Sequence, residues 1–332
     1  MAEPRTKVLI SAPYLIPNFE KFRPVFHAVG IELTVADVVE RLSSSQLLSF
    51  AGQVDAVICG DDEFSAEVLE AFAPRLKVIS KWGTGIDSID LESARRLGVV
   101  VRNTPDAFVE PVSDSVIGYV LCFARGLPAM DQSIKAGTWR KTPGWALHEQ
   151  TLGVVGVGRI GRRVVEKAAC FGMKLLGNDV VEIEPDFVRK HGLEMTTLHD
   201  LLARADYVSL NCDLNASSYH LADEAALAKT KQSAVLINTA RGRIVDEQAL
   251  IAALRANRLH GAALDVFEEE PLPADSPLRE FDQVMLAPHN SNASPAAWAR
   301  VHRTTIRHLL EELHLSIPDE LISPEARNEL VP

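Results

Sequence analysis

Short apolar runs alternate with amphipathic segments over the first hundred residues of the chain. The runs are rich in Val, Ile and Leu and are predicted to be strands; they span residues 8–12, 33–36, 55–59, 76–80 and 99–101. The segments between them have the length and pattern of helices; they span residues 19–29, 44–51, 65–72 and 91–97. Continuous apolar strands separated by helices are typical of a parallel sheet covered on both faces.

A second and longer alternation begins at Thr151. Its predicted strands span residues 151–156, 173–179, 206–210, 234–238, 262–266 and 283–287. Helical segments separate most of them, and a helix is predicted over 295–313, followed by a polar tail. The chain is therefore predicted to contain two α/β sheets in series, whose ligands would bind beyond the carboxyl ends of the strands.

The stretch 112–127 between the two alternations is apolar on most sides and is predicted to form one continuous helix. Such a helix has to be buried. A helix in the core of a domain and a helix in a subunit interface explain the pattern equally well.

Composition narrows the range of functions. The chain has 332 residues, which favours two domains. Lys plus Arg is 34 and Asp plus Glu is 45, a formal net charge of −11, which argues against a nucleic acid or an anionic membrane as partner. No signal peptide and no membrane-spanning run is predicted. The scattered Cys59, Cys122, Cys170 and Cys212 are predicted to be buried free thiols, which suits a cytoplasmic protein.

The sequence GVGRIG at 156–161 fits the glycine pattern of a dinucleotide-binding turn, between an apolar strand and a helical segment. Gly156 would allow the tight turn, Gly158 the approach of a pyrophosphate, and Gly161 close packing of helix and strand. Asp179 ends the next strand, at the spacing expected for the acid that binds the ribose hydroxyls. Because its carboxylate would repel a 2′-phosphate, the cofactor is predicted to be NAD and not NADP.

Polar residues follow three successive strands late in the second alternation. Arg241 has a guanidinium group suited to a carboxylate, Asp265 and Glu270 supply acids, and His289 supplies a titratable imidazole. Each of them alone is more often structural than functional. Together, at the edge where a nicotinamide would lie, they supply what hydride transfer to a 2-oxo acid requires.

These motifs resemble the D-2-hydroxyacid dehydrogenase family, and particularly its 3-phosphoglycerate dehydrogenase branch, in a short form without a regulatory domain. The resemblance extends from about Lys81 to Glu312, through KWGTGIDSID, RNTPDAF, GVGRIG, NTARGRIVDEQAL, GAALDVFEEEP and APHNSNAS in that order. The first 75 residues agree in their pattern of elements but contain no matching motif.

The resemblance implies a role for individual residues. Arg241 would bind the substrate, His289 would be the acid/base, and Glu270 would accept a hydrogen bond from its other ring nitrogen, which keeps the imidazole a proton donor near neutral pH. The backbone N–H groups of Thr84 and Gly85 would hold the substrate carboxylate. The cofactor-binding residues implied in this way are Thr84, Gly156, Gly158, Arg159, Ile160, Gly161, Asp179, Cys212, Thr239, Ala240, Arg241, Asp265, His289 and Asn292.

The resemblance also implies a domain organisation. A flavodoxin-like substrate domain would comprise residues 1–103 and 294–332, and a Rossmann NAD-binding domain would comprise residues 104–293. The expected partners are a small anionic substrate and a second copy of the chain in a homodimer. No metal site is predicted.

Two departures from the family pattern leave the substrate open. The run PHNSN replaces a glycine-containing run after the histidine, and Asn211-Cys212-Asp213 lacks a proline that the family commonly has. The candidates are 3-phosphoglycerate, glyoxylate or hydroxypyruvate, a bulkier 2-oxo acid, and a phosphonate- or sulfonate-bearing analogue. A phosphate could be bound by cations from Lys81, Arg102, Lys135, Arg140 and Lys141. The alternatives to a hydroxyacid dehydrogenase are a non-catalytic NAD-sensing co-repressor and a phosphite-type dehydrogenase.

Overall fold

The computed structural model of the protein describes residues 6–315. The chain divides into two compact units, one formed by the residues up to Ala107 and from Ser294 onward, the other by Phe108–Ala293. The crossings between domains had been predicted near Asn103 and Ala293. The predicted polar tail lies mostly outside the described residues.

The first unit contains a five-stranded parallel sheet in the order β2-β1-β3-β4-β5, the flavodoxin-like order. Its strands are β1 (Lys7–Ile10), β2 (Glu32–Val35), β3 (Ala56–Cys59), β4 (Val78–Lys81) and β5 (Val100–Arg102). The helices between them are α1 (Arg23–Ala28), α2 (Ser44–Leu48), α3 (Ala66–Phe72) and α4 (Leu91–Arg96). Side-chain caps fix where three helices begin: Ser43, Ser65 and Asp90 each accept a hydrogen bond from a backbone N–H in the first turn.

The second unit contains a seven-stranded parallel sheet. Its helices are α5 (Val109–Arg125), α6 (Leu127–Lys135), α7 (Arg159–Cys170), α8 (Pro185–His191), α9 (Leu198–Arg204), α10 (Glu224–Leu227) and α11 (Glu247–Arg255). Its strands are β6 (Thr151–Val155), β7 (Lys174–Asn178), β8 (Leu193–Met195), β9 (Tyr207–Leu210), β10 (Val235–Asn238), β11 (Gly261–Leu264) and β12 (Val284–Leu286). The order β12-β11-β10-β9-β6-β7-β8 is that of a Rossmann fold with one added strand. The predicted fold class, two doubly wound parallel sheets, is confirmed.

The last helix, α12 (Pro295–Glu312), returns to the first unit and packs on β3, β4 and β5. Its buried face includes Val301, His302, Ile306 and Leu309. The first unit is therefore discontinuous in sequence, because one face of its sheet is completed by residues almost two hundred positions later.

Some local predictions were wrong. The stretch 112–127 is not one helix, because Gly126 adopts φ 61° and ends α5, after which α6 begins. Residues 19–29 form part of a 3-10 turn and then the short α1. The three-residue β8 was not predicted, because it is too short to give a periodic signal. Cys59 is buried, but Cys170 is exposed at the end of α7; all four cysteines are free. Among the described residues no helix is long and apolar enough to cross a membrane.

Candidate active site

The predicted catalytic residues follow three neighbouring strands of the second unit. Asn238, the last residue of β10, is in register with Leu264 of β11, which is in register with Leu286 of β12. Because the three strands are parallel, the segments that follow them leave the sheet at the same edge. Arg241, Asp265 with Glu270, and His289 lie in these segments.

His289 and Glu270 form a hydrogen-bonded pair. The Nδ1 atom of His289 lies 3.0 Å from Oε2 of Glu270, and each side chain is 20% exposed. The other carboxylate oxygen of Glu270 accepts a hydrogen bond of 3.0 Å from the Phe267 N–H. Glu270 is therefore held at both oxygens, and it orients the imidazole so that Nδ1 carries the proton.

Asp265 fixes the backbone around His289. Its carbonyl oxygen accepts the His289 N–H at 2.8 Å, and its two carboxylate oxygens accept the N–H groups of Asn290 at 2.7 Å and Ser291 at 2.9 Å. His289 has φ 49°, in the left-handed region where a non-glycine residue is strained. The three hydrogen bonds hold this conformation. Asp265, which is 1% exposed, therefore positions the imidazole by fixing the backbone that carries it.

Arg241 lies in a turn that is braced by a side chain of the preceding strand. The amide of Asn238 donates to the Arg241 carbonyl oxygen at 2.9 Å and accepts the Ala240 N–H at 3.1 Å. The Arg241 guanidinium donates to the Ala240 carbonyl oxygen at 2.9 Å and is half-buried. A rigid turn of this kind presents a cation at the sheet edge with little freedom of position.

The glycine pattern forms the expected turn between β6 and α7. Gly156 has φ 85°, and a Cβ atom there would lie 2.6 Å from the backbone nitrogen of Cys212 in the neighbouring β9 loop. A Cβ atom on Gly161 would collide with the Gly156 carbonyl oxygen. At Gly158, the residue preceding α7, a Cβ atom would meet no described atom within 4 Å. The turn therefore has no room for a side chain at Gly156 and Gly161, whereas it has free space at Gly158, where a phosphate would approach.

The other predicted cofactor residues lie along the same edge. Arg159 and Ile160 begin α7, Ala240 precedes Arg241, and Asn292 follows the His289 turn; the last is half-buried. Asp179 follows β7, and its carboxylate accepts the N–H groups of Val157 at 2.6 Å and Val181 at 3.1 Å. It therefore also braces the glycine turn. Burial raises the pKa of the Cys212 thiol to about 11, so that this residue is a neutral, apolar contact.

Thr239 gives an independent indication of a ligand at this edge. Its hydroxyl is buried and has no hydrogen-bond partner within residues 6–315. Buried polar atoms are nearly always satisfied, and an unsatisfied one requires an explanation. Together with the glycine turn, this hydroxyl shows that the residues present fit a dinucleotide.

Thr84 and Gly85 lie in the first unit, in the loop after β4. The Thr84 hydroxyl donates to the Thr104 carbonyl oxygen at 3.1 Å, and Asn103 donates to the Thr84 carbonyl oxygen at 2.6 Å. The Thr104 N–H donates to the Gly83 carbonyl oxygen at 2.9 Å. The loop is thereby fixed from one side, and both Thr84 and Gly85 are half-buried.

Comparison with known proteins identifies the family. The sequence profile of the D-isomer specific 2-hydroxyacid dehydrogenase NAD-binding domain matches residues 117–291. The chain belongs to this family. It is accordingly an NAD-dependent dehydrogenase of D-2-hydroxy acids, as the resemblance had implied.

Relatives and solved structures of the family cover most of the chain. It is 38% identical to a glyoxylate reductase of Thermofilum pendens over 290 residues, 85% of each chain. It is 35% identical to a D-3-phosphoglycerate dehydrogenase of Methanocaldococcus jannaschii, over 88% of this chain and 54% of that protein. The structure of a D-lactate dehydrogenase from Aquifex aeolicus with NAD and lactic acid is similar with a TM-score of 0.81 at 26% identity, covering 93% of this chain and 98% of that one. These similarities support the catalytic interpretation and neither of the two alternatives.

Two residues of the site were missed by sequence reasoning. Asn238 lay within a quoted motif but received no role, although it braces the Arg241 turn. Tyr119 on α5 is far from the motifs; burial, and next the Asp265 carboxylate, raise its pKa to about 12. No pattern along the chain could have indicated Tyr119, because only the packing of α5 against β10 brings it within the electrostatic influence of Asp265.

Proposed function

We propose that the enzyme interconverts a small D-2-hydroxy acid and its 2-oxo acid through Arg241, Glu270 and His289. The names of the relatives point to glyoxylate, hydroxypyruvate or 3-phosphoglycerate as the class of substrate. The observation that carries the proposal is the hydrogen bond between His289 Nδ1 and Glu270 Oε2, since it pairs a half-buried imidazole with the carboxylate that would stabilise its protonated form.

Arg241 is proposed to bind the substrate, and His289 with Glu270 to transfer the proton. NADH, when bound, supplies the hydride. His289 donates the proton from Nε2 to the carbonyl oxygen and removes it in the reverse direction, while Glu270 accepts the hydrogen bond from Nδ1–H and stabilises the imidazolium. Arg241 binds the substrate carboxylate through its guanidinium, assisted by the backbone N–H groups of Thr84 and Gly85.

The cofactor is proposed to lie along the carboxyl edge of the second sheet. Gly156, Gly158 and Gly161 with the N-terminus of α7, at Arg159 and Ile160, would hold the pyrophosphate. Asp179 would bind the adenosine ribose, and Asp265 the nicotinamide carboxamide. The remaining contacts would come from Thr84, Cys212, Thr239, Ala240, Arg241, His289 and Asn292. The buried Thr239 hydroxyl supports this assignment because a ligand would satisfy it.

The proposal includes a cytoplasmic homodimer. Large apolar side chains are exposed on α6 and the segment that follows it: Leu127 at 47%, Ile134 at 52%, Trp139 at 91% and Trp145 at 60%. Large apolar side chains exposed within one short stretch of the chain favour an interaction site there, and a second copy of the chain would cover them. The four free thiols suit a reducing compartment.

A panel of 2-oxo acids with NADH tests the proposed reaction. Turnover, measured as loss of NADH absorbance, is expected with at least one member of the panel. The Arg241→Ala variant is expected to raise KM for that acid about 10- to 100-fold, because a hydrogen bond to a charged group contributes roughly 1.5–3 kcal/mol. Arg243→Ala, which removes an exposed arginine two residues away, serves as the control. An unchanged KM in Arg241→Ala would remove this residue from substrate binding.

A further inference from the structure

Three aromatic side chains form a cluster in the first unit. The ring centroids of Tyr14 and Trp82 are 5.5 Å apart, those of Tyr14 and Trp298 5.3 Å, and those of Trp82 and Trp298 5.9 Å. The rings are tilted or edge-on to each other, the arrangement that aromatic pairs favour. Trp82 is 4% exposed, whereas Tyr14 and Trp298 are partly exposed, so the surface of the cluster belongs to these two rings.

The cluster lies at the carboxyl edge of the first sheet. Tyr14 follows β1, Trp82 directly follows β4, and β3 lies between these two strands in the sheet. The sheet order reverses next to β1, and ligands of open α/β sheets bind at such a point. Trp82 is also two residues before Thr84, to which the proposed function assigns the substrate carboxylate.

Hydrogen bonds fix the rings of Trp82 and Tyr14. The indole Nε1 of Trp82 donates to Nδ1 of His302 on α12 at 2.9 Å, and His302 is 3% exposed. The Tyr14 hydroxyl lies 3.0 Å and 3.2 Å from the two carboxylate oxygens of Glu40. A preorganised aromatic surface binds an apolar group without first being ordered, which favours affinity.

The charged side chains of Lys81 and Glu40 contact residues of the cluster, and neither contact favours an anionic group. Lys81, the cation nearest to it in sequence, is buried, lies 3.1 Å from Asp61 and donates to the Trp82 carbonyl oxygen at 3.0 Å. Its charge is therefore compensated within the unit. Glu40 adds a carboxylate at the Tyr14 hydroxyl. A phosphate placed against Tyr14 would meet the Glu40 carboxylate, and the Lys81 ammonium is already paired with Asp61.

We propose that Tyr14 and Trp298, supported by Trp82, form a subsite for the substrate side chain that selects 2-oxo acids with an uncharged, apolar substituent over those with a phosphate. The proposal rests on the proposed function, because it takes Thr84 as the anchor of the substrate carboxylate. It makes a branched or aromatic 2-oxo acid a better substrate than 3-phosphohydroxypyruvate, and better than glyoxylate, which has no side chain to place on the rings.

The experiment compares kcat/KM for NADH-dependent reduction of phenylpyruvate, 4-methyl-2-oxopentanoate, glyoxylate and 3-phosphohydroxypyruvate by the full chain. We expect kcat/KM for at least one of the two apolar substrates to exceed that for 3-phosphohydroxypyruvate at least tenfold, and to exceed that for glyoxylate as well. A higher value for the phosphorylated substrate, or for glyoxylate, would overturn the subsite. Absence of turnover with all four would instead contradict the proposed function itself.

Substitutions of Trp298 and Tyr14 test whether the substrate selectivity depends on the aromatic cluster. The selectivity is measured as kcat/KM for the better apolar substrate divided by kcat/KM for glyoxylate. Trp298→Ala is expected to lower this ratio about tenfold. Trp298→Phe should keep most of the wild-type ratio, because the substituent contacts an aromatic face. Tyr14→Ala is a second variant with the same expected direction. Phe171→Ala is the matched control, because Phe171 is an aromatic residue 44% exposed at the end of α7, and it should leave the ratio unchanged. If the two alanine variants changed the ratio no more than this control, selectivity would not lie on the cluster and the proposal would fail.

Discussion

Both sheets are parallel, but the residues at their carboxyl edges differ in chemistry. The edge of the second unit carries His289, which hydrogen-bonds to Asp265 at 2.8 Å through its backbone N–H and to Glu270 at 3.0 Å through Nδ1. The edge of the first unit carries packed aromatic rings and a buried acid, Asp62, beside β1 and β3. The second edge therefore holds individual atoms in place, as proton transfer requires. The first edge presents a packed aromatic surface, as the selection of a substrate side chain requires.

The difference shows how a two-unit dehydrogenase of this family can separate reaction from selectivity. Hydrogen bonds are directional, so the residues of the second edge tolerate little variation in type or position. If the aromatic cluster is the proposed subsite, substitutions of its rings should change the preferred substrate, because these rings would contact the substrate side chain. Variants on the second edge should therefore affect the rate for every substrate, whereas variants on the first should affect rates selectively.

The largest effect is expected from removal of the imidazole. His289→Asn should lower kcat about 10²–10⁴-fold for every substrate that the enzyme accepts, because general acid catalysis is lost while the amide still occupies the site. The affinity for NADH, measured by fluorescence titration, should be largely kept. His199→Asn, an exposed histidine on α9, is the control. A variant with near wild-type kcat would show that the proton comes from another group.

A smaller effect, on stability, is expected at the edge of the first unit. Burial, opposed in part by hydrogen bonds from the Leu42 N–H and the Ser11 hydroxyl, raises the pKa of Asp62 to about 6. Because the folded state then binds this proton more tightly than the unfolded state, the free energy of unfolding should fall as pH rises from about 4 to about 6, by at most about 3 kcal/mol.

Denaturant unfolding of Asp62→Asn at several pH values checks this prediction. The amide cannot ionise, so the variant should lose this part of the pH dependence. Its free energy of unfolding should therefore increase relative to that of the wild type as the pH rises. Glu67→Gln, an exposed acid-to-amide change on α3, should keep the wild-type profile. Parallel profiles for the wild type and Asp62→Asn would show that Asp62 titrates normally.

The smallest effect is expected in cofactor choice. Wild-type enzyme should bind NADH more tightly than NADPH, and Asp179→Asn should reduce this preference about tenfold, because a neutral amide no longer repels a 2′-phosphate but still accepts the Val157 N–H. Asp186→Asn, an exposed change on α8, is the control. A wild-type preference for NADPH would overturn the role of Asp179 in the proposal.

Much of the second unit could be predicted from sequence because its functional residues lie directly after strands. A strand of apolar residues fixes the edge at which the next polar residue emerges, so GVGRIG, Arg241, Glu270 and His289 could be assigned to one edge in advance. The break of α5 at Gly126 and the short β8 could not, because a single glycine and three residues give no periodic signal.

Periodicity and motifs that are local along the chain were enough to predict the fold class, the family and the candidate residues for hydride-transfer chemistry. The groups that support these residues became visible in the packed structure. Asp265 holds the backbone of His289, and Trp298 meets Tyr14 across more than 280 positions of sequence. Contacts of this kind depend on how elements pack in three dimensions, and no local pattern of residues records that packing.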